Sequence, residues 1–205
     1  MRSGRLLFVI GAIAALVGAG GTSAQTLPEL ARTNGGTATS VIDIDGPPSS
    51  MHDVVHDSDL VVLGQIVTSR TRLNADQTVV ETEYTIRPIE AFKDEHPQPA
   101  TKPGMVAPIV VRRSGGRLVT EDGLQLGTSV NIFPEAECFS VGEEVVVMLS
   151  YRSDEAVYRF SHGAFAAFRI RDGLVVPMTK DVVQRRKDVP TPLASFRANL
   201  LRLLQ

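Results

Sequence analysis

Tryptophan is absent from the 205 residues, and cysteine occurs once, at position 138. A single cysteine cannot form an internal disulfide, so stability has to come from a hydrophobic core, which a chain of this length can build without staples. Cys138 is read as a small buried hydrophobe beside Phe139, with an intermolecular disulfide as the alternative. Eight Phe and three Tyr leave few amphipathic rings for stacking on bases or sugar faces. There is no basic excess either: 21 Lys and Arg stand against 23 Asp and Glu. Neutralising a phosphate backbone needs such an excess, so nucleic acid is not an expected partner. Motifs are missing as well. The chain has no Gly-x-Ser-x-Gly elbow, no phosphate-cradling glycine loop and no N-glycosylation acceptor, and Asp43-Ile44-Asp45-Gly46 lacks the spacing of a calcium loop.

What is present begins with an export pattern. Arg2 and Arg5 form a positive start, residues 6–17 are apolar, and the small-residue stretch that follows ends in Thr22-Ser23-Ala24, a signal-peptidase site. The apolar stretch is shorter than the roughly 20 residues that span a bilayer, so residues 1–24 are expected to be a cleaved signal peptide; an uncleaved anchor is the alternative. No cysteine follows the apolar stretch, which excludes a lipoprotein anchor. Cleavage removes two basic residues and moves the net charge from −2 to −4. The expected location is the periplasm or the extracellular space.

Residues 25–49 are rich in Thr, Gly, Ser and Pro and read as a flexible leader. Residues 50–205 read as one domain. Ser50-Met51-His52-Asp53 fits a capping box, with Met51, Val54 and Val55 on one face of a short helix that ends near Ser58. Residues 60–67 form an apolar run interrupted by Gly64. Residues 78–92 alternate, with Val80, Thr82, Tyr84 and Ile86 on one face and Glu81, Glu83, Thr85 and Arg87 on the other. Residues 93–104 carry three prolines and read as a loop, residues 105–113 as a strand ending at Ser114-Gly115-Gly116, and residues 117–121 as a return strand. Residues 122–140 read as a long irregular connection. Val145-Val146-Val147-Met148-Leu149 reads as a central strand buried on both faces. Three short strands follow over residues 156–160, 165–170 and 174–178. The chain ends in a helix capped by Thr191, with Pro192 first and Leu193, Phe196, Leu200 and Leu203 on one face.

Short, closely spaced strands with helices at the two ends predict a mainly β fold. The expected form is a small Greek-key, OB-like barrel, with a β-sandwich as the alternative. Gly64 is where the first strand would bend to pair with both halves of the sheet.

Residues 58–67, Ser-Asp-Leu-Val-Val-Leu-Gly-Gln-Ile-Val, are followed by Glu83-Tyr84-Thr85-Ile86, by Glu90-Ala91-Phe92-Lys93-Asp94 and by Val141-Gly142-Glu143-Glu144-Val145-Val146-Val147-Met148-Leu149. Together these resemble netrin-like domains, the OB-type barrels of tissue inhibitors of metalloproteinases and of many exported bacterial proteins. The resemblance implies the barrel and the export. The inhibitors use an N-terminal cysteine to chelate the target's zinc. This chain offers none near Gln25, lacks the inhibitors' disulfides, and has Asp94 where the pattern has glycine, so metalloproteinase inhibition by that mechanism does not transfer.

The sharpest chemical pattern is His52-Asp53-Val54-Val55-His56. Two histidines at i and i+4 share a helical face and could ligate zinc. Asp53 replaces the glutamate of the zincin motif and is one methylene shorter, which counts against a protease. His162 and Asp59 are the candidate third ligands; the competing reading is an exposed polar face with Asp53 as the capping acid. His162 could also be a turn histidine or a base. The pairs Glu81/Glu83 and Glu143/Glu144 read as solvated. Arg112, Arg113 and Arg117 flank the Gly115-Gly116 turn, and Arg185-Arg186-Lys187 precedes the last helix; either group could hold an anion, while Arg112 and Arg113 read as charges guarding a strand end. No cofactor is expected. The function expected is an exported, non-enzymatic module binding a protein or small ligand through the loops 93–104 and 122–140. The alternatives are a zinc-binding protein using His52 and His56, and a structural component of an envelope assembly that makes contact through the last helix or Cys138.

Overall fold

The structure, a computed structural model, describes residues 25–42, 50–95, 107–130, 139–178 and 189–205. The signal segment, Cys138 and Arg185-Arg186-Lys187 lie outside them. The elements run α1 (Leu27–Thr33), β1 (Thr37–Ile42), α2 (Met51–His56), β2 (Leu60–Leu73), β3 (Val80–Asp94), β4 (Ile109–Ser114), β5 (Gly116–Val119), β6 (Gln125–Val130), β7 (Glu144–Arg152), β8 (Val157–Phe160), a 3-10 turn (Gly163–Ala166), β9 (Ala167–Arg171), β10 (Leu174–Pro177), β11 (Thr191–Pro192) and α3 (Leu193–Leu203).

The fold is mainly β. Five strands pair in a ring: β2 with β3, β3 with β4, β4 with β8, β8 with β7, and β7 with β2. All of these pairs are antiparallel except β4–β8, which is parallel and spans two register pairs, Val111↔Tyr158 and Arg112↔Arg159. The ring has the connectivity of an OB-like barrel. It is not a clean barrel, because β9, β10 and β11 extend the sheet outward from β7.

β2 is the strand that turns the corner. It pairs with β7 from Leu60 to Gln65 and with β3 along its full length, with register shifts at Val61/Val62, Leu63/Gly64 and Ile66/Thr68. At Gly64 a Cβ would lie 2.5 Å from Ile86 Cγ2 and 2.9 Å from the Arg87 carbonyl oxygen. A register shift and a close approach by β3 therefore fall at the residue where the sequence led one to expect them.

Register explains the unbroken apolar run of β7. Leu60↔Leu149↔Phe160 and Val62↔Val147 face one way, while Val61↔Met148 and Leu63↔Val146↔Phe168 face the other. The second face is covered by α3, whose Phe196 ring packs 5.1 Å from that of Phe168. Phe196 and Leu200 of α3 are buried in this core, so the helix face considered for an envelope contact is used on the protein's own sheet. Thr191 does not cap α3. It pairs with Val175 as part of β11, and its hydroxyl donates to the Val189 carbonyl.

Three further expectations need correction. Residues 27–42 of the presumed flexible leader are structured: Thr26 and Glu29 form a reciprocal capping box for α1, and β1 pairs in parallel with β6 from Thr37↔Gln125 to Ile42↔Val130. The presumed irregular connection after Asp122 contains β6, the central strand of the small sheet β1-β6-β5. Leu27, Ala31, Ala38, Val80, Leu124 and Leu126 form its core. It is joined to the barrel where the Val80 N–H donates to Thr128 Oγ1 at 2.7 Å and the Thr82 hydroxyl to the Gly115 carbonyl at 2.7 Å.

The third correction concerns charge. Val80, Thr82, Tyr84 and Ile86 are buried as the alternation requires, but Glu81 is also buried, at 5% exposure. Arg159 bonds Glu81 at 2.9 Å and Glu155 at 2.8 Å, and Arg112 bonds Glu83 at 2.8 Å and Glu155 at 3.3 Å. Arg72 stands 3.6 Å from Glu81. These side chains form a ladder across the parallel seam. Arg159 holds the Glu155 carboxyl below its ordinary pKa, against the opposing effect of burial. Its contribution is present above the ordinary carboxylate range and is lost as pH falls through the lowered value.

Gly64→Ala is expected to lower stability by about 1–3 kcal/mol through overpacking, read as a lower urea midpoint at unchanged slope. Arg159→Met is expected to cost about 2–3 kcal/mol, because it leaves Glu81 short of its closest partner. Adding Glu81→Gln to Arg159→Met should recover part of that loss in the same measurement.

Candidate functional site

Among the described residues, the interior of the ring is filled by side chains. Tyr84, Ile86, Val111, Val145 and Val147 fill it, and Phe139 enters from the chain before β7 to pack 5.5 Å from Tyr84 and 6.2 Å from Phe160. The space left at the mouth, between Leu60, Val62, Ile109 and Tyr158, is about 40 Å³. That is room for a water or so, not for a ligand.

The histidines of α2 lie outside, on a helix fixed at both ends. Ser50 accepts the Asp53 N–H at 3.2 Å and its hydroxyl donates to Asp53 Oδ2 at 2.9 Å, so Asp53 serves the cap. Lys93, at the far end of β3, donates to the carbonyl oxygens of His56 at 3.1 Å and Val55 at 3.5 Å. Val54 and Val55 are buried beneath. His52 and His56 stack side by side, with ring centroids 6.0 Å apart and planes 20° from parallel.

Asp57, which was not singled out in the sequence, organises this corner. One carboxylate oxygen meets His56 Nδ1 at 3.2 Å and the other meets His162 Nε2 at 3.0 Å. Hydrogen bonds from His56 and then His162 hold its carboxyl below the ordinary range. The repeated dipeptide His52-Asp53 and His56-Asp57 was the signal that could have found it. Of the two candidate third ligands, Asp59 points elsewhere and accepts the Tyr151 N–H at 2.6 Å. His162 comes only as far as Asp57. Among the described residues, no three His, Cys, Asp or Glu side chains are grouped so as to hold a metal ion. Beneath the corner, Ser161 Oγ lies 2.8 Å from Ser58 Oγ and 2.9 Å from Ser150 Oγ.

A larger concavity, about 470 Å³, lies beyond the other end of β2. Its walls are α1 with Thr26, Glu29 and Arg32, the β2–β3 turn with Ala75, Asp76 and Gln77, and the β5–β6 turn with Thr120, Asp122 and Leu124. The three walls are tied together. The Leu27 N–H donates to the Gln77 carbonyl at 2.8 Å, and Arg32 pairs with Asp122 at 3.0 Å. The β2–β3 turn is set by Asn74, whose side-chain oxygen accepts the N–H groups of Thr78 at 2.9 Å and Val79 at 3.0 Å. Three carboxylates against one guanidinium leave the groove net negative. Hydrogen bonds keep two of them ionised: the Thr120 hydroxyl and then Arg32 at Asp122, and the Thr26 N–H at Glu29. Of these residues only Asp122 was named beforehand, as the start of a loop.

The two loops expected to bind leave the barrel at separate places. The Glu95 N–H, where the first begins, donates to the Asp59 carbonyl. The second returns through Phe139, with the Gly142 N–H donating to the Ile66 carbonyl. Residues 96–106 and 131–138 lie outside the described residues.

The Asp57 carboxyl is expected to titrate below the ordinary aspartate value, followed by carboxyl-carbon NMR. His162→Ala and His56→Ala should each move the midpoint upward, because each removes a donor to the ionised form. An unchanged midpoint in both variants would separate Asp57 from the histidines.

No protein-family model and no curated protein matches this chain.

Proposed function

We propose that this protein is an exported, non-enzymatic binding module that takes its ligand in the groove between α1, the β2–β3 turn and the β5–β6 turn. The observation that carries the proposal is a contrast of volumes: about 470 Å³ in that groove against about 280 Å³ in the cleft between Met51, Val175 and Phe196 and about 40 Å³ at the barrel mouth. Small-ligand sites commonly occupy roughly 300–1,000 Å³. The groove also lies on the loop joining the first two barrel strands, one of the places where OB-type folds bind. Its negative balance selects a polar ligand bearing a cationic group, on a protein segment or a small molecule. Export rests on the pattern of residues 1–24, and cleavage after Ala24 leaves one residue before Thr26, which is already in the groove wall.

The test uses two exposed turn residues that carry no packing. Ala75→Trp fills the groove and Asp76→Lys reverses part of its charge. With a ligand identified by thermal-shift screening of basic peptides and amines, each substitution is expected to weaken binding at least tenfold while leaving the Tm of the free protein unchanged. Full affinity retained in both variants would overturn the assignment.

A further inference from the structure

The groove leaves the paired histidines of α2 without a role, and their surroundings are more specific than those of a solvated helix face. His56 directs Nδ1 at Asp57 (3.2 Å), and His52 directs Nδ1 at Asp53, within ionic reach at 3.7 Å. The hydrogen bond between His56 Nδ1 and Asp57 selects the tautomer that carries the proton on Nδ1 and leaves the Nε2 lone pair outward, whereas at 3.7 Å Asp53 gives His52 only a nearby charge. The arrangement at His56 is how outer carboxylates prepare histidines to ligate metals. Both rings are exposed, at 62% and 76% of their side-chain area, so their outer nitrogens are open to solvent.

We propose that α2 carries a two-imidazole site for a divalent transition metal of the Cu²⁺, Ni²⁺ and Zn²⁺ group, with His52 Nε2 and His56 Nε2 as the protein ligands. Two imidazoles sharing one ion at metal–nitrogen distances of about 2.0–2.1 Å have centroids roughly 5 Å apart. The observed 6.0 Å is about 1 Å longer and the rings are near-parallel, so ligation requires both side chains to rotate until their ring planes converge on one ion, one turn apart on an already fixed helix. Preorganisation matters here because a free six-residue helix would be marginal in water. The Ser50 cap, the Lys93 contacts and the buried Val54 and Val55 supply it. Two protein nitrogens leave the remaining positions to water or to an outside donor, so the site is open and exchangeable rather than structural. Imidazole donors favour copper, nickel and zinc over magnesium and calcium, which prefer oxygen. Asp57 is a positioning residue: it orients His56 and is itself held by His162 at 3.0 Å.

The experiment is isothermal titration of the untagged, chelator-treated protein with Cu²⁺ and, separately, Zn²⁺ and Mg²⁺. The copper complex is also examined by electron paramagnetic resonance for nitrogen coupling. Expected are one equivalent of Cu²⁺ with coupling from two nitrogens, weaker Zn²⁺ binding, and no Mg²⁺ binding. His52→Ala and His56→Ala should each weaken Cu²⁺ at least thirtyfold. Asp57→Asn should weaken it about tenfold, in the range for outer-shell partners, with the two-nitrogen signature retained. Both rings are exposed, so the alanine variants are expected to fold, which circular dichroism checks. Absence of a stoichiometric site below 100 µM Cu²⁺ (about that level), or affinity unchanged in the His52→Ala, His56→Ala double variant, would overturn the proposal. The latter result means an adventitious ion only, bound elsewhere. Neither result bears on the groove, which shares no residue with α2.

Discussion

The fold depends on closing a ring through a strand of four residues. β8 must satisfy β7 on one side and β4 on the other, and its parallel seam with β4 spans two register pairs. So little backbone pairing is a weak closure by itself, and side chains supply the rest. Arg159 and Arg112 bridge the carboxylates of β3 to Glu155 in the turn before β8. Because Glu81 is nearly buried, its charge makes the closure conditional. With Arg159 in place it adds a charge-assisted tie, and without it the seam would hold an under-compensated carboxylate. The closed seam in turn sets Tyr158 beside Val111 and Phe160 opposite Leu149, which completes the packed interior.

Closure on one side forces two-faced burial on the other. β2 and β7 contribute one set of side chains to the ring and the alternate set to a second layer under α3, so neither strand can alternate in polarity. The same core also seats α2, through Val54 and Val55. Lys93, at the end of β3, then reaches the C-terminal carbonyls of α2. The histidine pair is thus positioned by the same strand whose other end carries Glu81.

Much of this was legible in the sequence where the cause is local. The Ser50 cap, the register shift at Gly64 and the buried run Val145 to Leu149 each follow from a few adjacent residues. What was missed depends on distant pairing. β1, Thr-Ala-Thr-Ser-Val-Ile, has too little apolar content to announce itself, and it becomes a strand because β6, almost ninety residues later, lies alongside it. Glu81 obeys the alternation and still is buried, because periodicity reports which face a residue is on and not whether Arg159 covers that face. At the candidate sites the histidine pair was visible as a spacing. The role of Asp57 required knowing that the Ser161-His162 turn returns to α2. The groove could not be read at all, since its walls come from one helix and two turns that meet only in the folded chain.

The same geometry keeps the two candidate sites apart. α2 stands immediately before Leu60 and the groove immediately after Leu73, so the fourteen residues of β2 separate them. At about 3.3 Å per residue, an extended strand of that length spans roughly 45 Å, and even with the bend at Gly64 no small ligand could touch both. Glu81, Glu83 and Glu155 are paired with the arginines of the seam, so the seam carboxylates add little to the field at either end. At the groove the local carboxylates create a field for a cationic group. At α2 the local carboxylates stand behind the histidines and act through them, which makes the chemistry of that end a matter of nitrogen donors rather than of charge.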